Sequence, residues 1–191
     1  MKLFKVKDEE KRIFIINGSG GVGKDTFVEL VNKALQDYFN FHNDYAKLAY
    51  SFSSIDVIKE AAKVIGWNGD KSEKSRKFLS DLKILSTKYN DYPHQSILHE
   101  IKRFYKDTVQ FMLFIHTREP EDIERFKKEV PECKTILITN KNIAEIKSNM
   151  ADANVFNYNY DIVINNDDTL EELKQKAVDF IKKEYQTRES E

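Results

Sequence analysis

Within the run Ile13-Phe-Ile-Ile-Asn-Gly-Ser-Gly-Gly-Val-Gly-Lys-Asp-Thr26, Gly18 and Gly23 stand at the spacing G-x-x-x-x-G-K, with Lys24 after the second glycine. That is the spacing of a Walker A phosphate loop. Glycines let the backbone curl so that successive N–H groups face phosphate oxygens. The helix expected next turns its free N–H groups and the positive end of its dipole toward the same anion. Lys24 supplies a mobile positive charge able to reach β- and γ-phosphates. Gly18, Ser19, Gly20, Gly21, Val22, Gly23, Lys24, Asp25 and Thr26 are therefore the candidate nucleotide-binding residues. A glycine turn that binds nothing is the plain alternative; the lysine, the apolar burst before the loop and the amphipathic stretch after it weigh against that. One departure matters. The usual motif sets Ser or Thr after the lysine as a magnesium ligand, whereas here Asp25 follows and Thr26 comes one place later. A carboxylate is also a hard oxygen ligand, so Asp25 is the candidate for Mg²⁺, directly or through water. An acid there also favours the helix N-terminus, and the two roles are compatible.

The elements that must hold this loop follow from hydrophobic periodicity. The β-branched run 12–17 predicts a strand, and Phe27, Leu30, Val31, Ala34, Leu35 and Tyr38 recur at helical spacing over about 25–39. Further strands are expected at 45–52, 108–115, 135–139 and 161–165, with helices at 55–65, 72–88, 95–106, 120–129, 142–150 and 169–185. A short edge strand is allowed at 3–6. Ser53 and Ser54 can cap one helix, Pro120 suits the first turn of another, and Thr169 to Glu172 reads as a capping box. Strands alternating with helices predict a three-layer α/β fold with a parallel sheet, whose ligands bind at the carboxyl ends of the strands. The helical stretch 54–106 is too long for a tight βαβ connection and is the natural substrate lobe within a single domain spanning 1–191.

Composition narrows the class of partners. The chain has 191 residues and a formal net charge of −1, so no basic field draws it to nucleic acid. One cysteine, Cys133, excludes an internal disulfide and a cysteine zinc cluster, and its place before an apolar run suits strand packing. The charged N-terminal stretch lacks the apolar core of a secretory signal, and no apolar run is long enough to span a bilayer. The expectation is a cytoplasmic protein acting on a small molecule, without nucleic-acid or membrane partners. Monomer and homodimer both stay open.

Gly23-Lys-Asp-Thr26 resembles the Walker A form of phage-type deoxynucleoside monophosphate kinases. Ser51-Phe-Ser-Ser-Ile-Asp-Val-Ile-Lys59 is similar to that family's segment after strand two, and Gly66-Trp-Asn-Gly-Asp70 with Arg76 and Leu79 to its stretch in the substrate lobe. His116-Thr-Arg-Glu-Pro120 sits where the family has Asp-x-Arg-x-Pro, and the stretch 161–173 looks like its closing strand and helix. The resemblance spans nearly the whole chain, though only the Walker A part is highly specific. It implies a P-loop NTPase fold with strands in the order 2-3-1-4-5, a helical substrate lobe at 54–106 and a lid-like segment at 139–160. It also implies transfer of the γ-phosphoryl group of ATP, with Mg²⁺, to a nucleoside monophosphate or a similar phosphorylated acceptor.

Such a reaction asks for cations around the loop. Arg118, directly after the buried stretch 108–115, is the candidate catalytic arginine beside Lys24; a surface pair with Glu119 or Glu121 is its alternative. Lys59, Arg76 and Arg103 are the candidate acceptor residues, with a solvated helix face as the alternative for each. The family's strand-three acid is replaced by His116, so the metal falls to Asp25, or Asp56 or Glu119 stands in. The segment 139–160 carries Lys141 and Lys147 but no arginine. These two departures motivate the competing expectation of a degenerate or sensing P-loop protein that binds nucleotide without turnover.

Overall fold

The structure is a computed structural model that describes residues 7–41, 43, 45–143 and 155–186. The edge strand expected at 3–6, most of the helix expected at 142–150, and Lys147 lie outside those residues. After a 3₁₀ turn at Asp8–Glu10 come β1 (Arg12–Asn17), α1 (Lys24–Tyr38), β2 (Ala49–Ser53), α2 (Ser54–Val64), α3 (Glu73–Asn90), α4 (Tyr92–Lys106) and β3 (Met112–His116). They are followed by α5 (Pro120–Glu129), β4 (Lys134–Thr139), β5 (Ile162–Asn165) and α6 (Leu170–Gln186). The chain divides into two compact units, one of residues 1–51 with 107–191 and one of residues 52–106.

The first unit is built on a five-stranded sheet of order β2-β3-β1-β4-β5. β1 pairs in parallel with β3 and β4, and β4 with β5. From Ile13 to Asn17 every residue of β1 is buried, as a central strand covered on both faces requires. Alternation then divides its side chains. Phe14 and Ile16 join one core with Phe27, Val31 and Leu35 of α1 and Leu173, Ala177, Phe180 and Ile181 of α6. In that core the Phe14 ring lies 5.2 Å from Phe114 and 5.1 Å from Phe180, centroid to centroid. Ile123 and Phe126 of α5 are buried outside this cluster, which completes the three-layer α/β architecture expected from the sequence.

Two strands begin several residues later than periodicity suggests, and at each start a side chain accepts backbone amides. Asn32 of α1 accepts the amides of Leu48 and Ala49 at 2.7 and 3.0 Å at the point where β2 begins, at Ala49 rather than at 45. Asp107 accepts the amides of Val109 and Gln110 at 2.7 and 2.8 Å in a turn, so β3 starts at Met112 rather than at 108.

The second unit packs α2, α3 and α4 against one another. Ser53 and Asp56 form a capping box at the start of α2, and Ser72 caps α3. Asp91, at φ 56°, breaks the chain between α3 and α4, and α4 starts three residues earlier than expected, with Pro93 in its first turn. Ser75 ties the preceding turn to α3: its hydroxyl donates to Asp70 at 2.6 Å and accepts from the Trp67 indole at 3.1 Å. Hydrogen bonds from Ser72 and Ser75 hold the Asp70 carboxyl below its ordinary pKa.

Candidate phosphate-binding site

The loop leaves the carboxyl end of β1 and enters α1 through backbone that only glycine adopts readily. Gly18, Gly21 and Gly23 have φ of 144°, 81° and 98°. At Gly18 a Cβ would lie 2.4 Å from the Ile138 carbonyl oxygen, so β4 itself closes that space. At Gly23 it would lie 2.4 Å from Asn166 Nδ2. Gly23 is the N-cap of α1 and no side chain caps the helix, which leaves the first-turn N–H groups to an anion.

Lys24 closes the loop over itself. Its ammonium donates to the carbonyl of Gly18 at 2.6 Å and to that of Ser19 at 2.8 Å, so the charge stands above the curl of amides. Three further residues brace the loop. Asn17 is fully buried, and its Oδ1 accepts the Gly18 amide at 2.8 Å. Its Nδ2 donates to the Arg118 carbonyl at 3.1 Å and to the Tyr160 hydroxyl at 2.7 Å. On the far side Asn166, just after β5, donates from Nδ2 to the Val22 carbonyl at 2.9 Å. Burial raises the Tyr160 phenol above its ordinary pKa, against the hydrogen bond from Asn17.

At the mouth, register puts His116 beside Ile16, one residue short of Asn17. His116 Nε2 lies 3.4 Å from Asp25 Oδ1. The Asp25 side chain is 86% exposed, so the carboxylate stands open to a ligand. No group of three or more His, Cys, Asp and Glu side chains among the described residues forms a ready-made metal cage. Magnesium usually takes one or two carboxylates and completes its shell with water and substrate phosphates, and Asp25 is an exposed ligand of that hard-oxygen type.

The first unit thus brings together Gly18 to Thr26, His116 and the backbone of Arg118, whose side chain is exposed. The remaining candidates lie in the second unit. Lys59 is 3.2 Å from Asp56, whose other oxygen accepts the Ser53 amide at 3.0 Å. Arg103 grips the buried Glu100 with both Nε and Nη2. Arg76 is exposed in the first turn of α3. Asn17, Tyr160 and Asn166 have no counterpart in the sequence reading, for their partners lie far along the chain. The one local signal was a polar Asn17 at the end of an otherwise apolar strand.

A central strand, a glycine loop crowned by lysine, a following helix and the strand order 2-3-1-4-5 define a P-loop α/β fold. No protein-family model matches the chain, and no curated protein does. Among solved structures, the APS kinase CysC of Mycobacterium tuberculosis, solved with AMPPNP and APS, is similar at 12% identity with a TM-score of 0.42. The match covers 90% of this chain and 98% of that one.

Proposed function

We propose that the protein is an ATP-dependent kinase that passes the γ-phosphoryl group to a nucleoside monophosphate, a deoxynucleotide first among candidates, or to a similar phosphorylated small molecule. The observation that carries this reading is the Lys24 ammonium held 2.6 and 2.8 Å from the loop carbonyls, above a run of glycine backbone at an uncapped helix start. A triphosphate seated there meets several N–H donors, the dipole of α1 and one mobile cation at once.

Phosphoryl transfer asks the protein for position and charge rather than covalent chemistry. The loop amides hold the β-phosphate, and Lys24 exchanges its carbonyl partners for β- and γ-oxygens. Arg118, anchored through its own carbonyl by Asn17, offers its exposed guanidinium to charge developing on the transferred group. Asp25 would hold Mg²⁺, which would supply positive charge to offset that of the phosphates. His116 holds one face of that carboxylate. Lys59, Arg76 and Arg103 are the cations the second unit offers to an anionic acceptor; Lys59 and Arg103 would first have to leave Asp56 and Glu100.

The test is ATP consumption with Mg²⁺ across a panel of acceptors, deoxynucleoside monophosphates first, with Lys24→Ala alongside. A kinase consumes ATP only when its acceptor is present, and Lys24→Ala lowers that rate by about 10²-fold or more. Transfer that persists in Lys24→Ala refutes the assignment. Tight ATP binding with no acceptor turned over favours the sensing alternative, to which His116 in place of the strand-three acid points.

A further inference from the structure

We propose that Tyr160 is a positioning residue for the phosphate loop, acting through Asn17 to set the Gly18 amide and the Arg118 backbone together. The proposal rests on reading the loop as the nucleotide site. Its ground is a directional chain of hydrogen bonds with every atom assigned. The Tyr160 hydroxyl gives its one proton to the Val155 carbonyl at 2.8 Å. Its oxygen is then left to accept, and it takes an Asn17 Nδ2 proton at 2.7 Å. The second Nδ2 proton goes to the Arg118 carbonyl at 3.1 Å, and Asn17 Oδ1 receives the Gly18 amide at 2.8 Å.

Val155 thus determines which way the Tyr160 hydroxyl points, and the hydroxyl determines which way the Asn17 amide faces. A flipped amide would set Oδ1 against two oxygens and Nδ2 against an N–H. Asn17 is completely buried, so water cannot substitute for a lost acceptor. The device joins the entry to β5, the start of the loop and Arg118, two residues past the end of β3. Tyr158 stands two residues earlier, with its ring 5.2 Å from that of Tyr160, yet its hydroxyl donates to Glu124 at 2.7 Å and reaches none of this network.

That neighbour supplies the control. Tyr160→Phe and Tyr158→Phe each remove one hydroxyl from the same short stretch, and only the first leaves an Asn17 proton without its acceptor. Two readouts separate this inference from the function it rests on. The first needs no nucleotide. In ¹⁵N-labelled protein the Gly18 amide resonance shifts and its hydrogen exchange quickens in Tyr160→Phe, while Tyr158→Phe leaves both as in the wild type. The second uses a fluorescent ATP analogue with Mg²⁺. Its Kd rises about three- to tenfold in Tyr160→Phe, the equivalent of one neutral hydrogen bond, and is unchanged in Tyr158→Phe. An unaltered Gly18 amide in Tyr160→Phe, or equal effects in both variants, overturns the inference. A wild-type protein that does not bind the analogue overturns the nucleotide reading, while the Gly18 result still decides whether Tyr160 sets the loop.

Discussion

Replacing each loop glycine by alanine in turn tests whether the loop has the conformation described, because the three sites differ in what a methyl group meets. All three carry the cost of a positive φ for a residue with a Cβ, about 1–2 kcal/mol. At Gly21 nothing is added, since the nearest atom would be Ile143 Cδ1 at 3.8 Å, an ordinary contact. At Gly18 the methyl would press on the Ile138 carbonyl oxygen at 2.4 Å and on Val22 Cγ2 at 2.9 Å. The carbonyl belongs to β4, a central strand, and cannot swing aside, so overpacking adds about 1–3 kcal/mol. Gly23 falls between them, because the obstructing Asn166 amide is a side chain that can rotate, at the loss of its bond to the Val22 carbonyl. Thermal unfolding reads the difference: for a chain of this size about 1–3 kcal/mol corresponds to roughly 2–12 °C between Gly18→Ala and Gly21→Ala. The expected order of damage is Gly18, then Gly23, then Gly21. A Gly21 variant that melts at or below the Gly18 variant would refute the close approach of the loop to β4.

Three other outcomes follow from the same geometry. Arg118→Ala lowers phosphoryl transfer by about 10²–10³-fold with nucleotide affinity retained, because Asn17 holds the Arg118 carbonyl rather than its side chain; an equal loss of affinity in a binding titration would contradict this. Burial pushes the Asp161 carboxyl up, but hydrogen bonds from the Thr135 amide and hydroxyl, with Lys127 nearby, hold it below its ordinary pKa. A lowered folded value contributes stability that is present above the unfolded value of about 4 and is lost as pH falls through the folded one. Asp161→Ala removes that acid-dependent part, and costs about 1–3 kcal/mol at neutral pH by leaving the fully buried Thr135 amide without its acceptor, measurable by urea unfolding at pH 7 and pH 3. Finally, burial pushes the Cys133 thiol up to about 11, so at pH 8 a thiol reagent should label the native protein on the order of 100-fold more slowly than the urea-unfolded chain; equal rates would contradict its packing.

The residues that were legible in advance are those whose behaviour is local. Gly18, Gly23 and Lys24 mark a glycine-rich turn from strand to helix with a lysine folded onto it, because backbone curvature and lysine reach depend on neighbours a few places away. The buried run at 12–17 marks a central strand for a similar reason, since a strand covered on both faces has no polar side to show. Periodicity overran the strands at 45–48 and 108–111; Asn32 accepts the Leu48 amide at the start of β2, and Asp107 turns the chain before β3 by accepting the amides of Val109 and Gln110. A hydrophobicity pattern carries no record of which side chain reaches a backbone N–H.

What the chain alone determined is a glycine-rich, lysine-bearing loop between a buried strand and an amphipathic helix, together with the layered class of fold that surrounds such a unit. Tertiary structure alone decided what holds that loop in place. Asn17 meets Tyr160 across 143 positions and Asn166 meets Val22 across 144, and His116 arrives beside Asp25 only because β3 lies next to β1. Groups so distant in sequence meet only because the assembled sheet brings them within reach, and where one of them is buried, as Asn17 is, the lost water makes each such partner count for more.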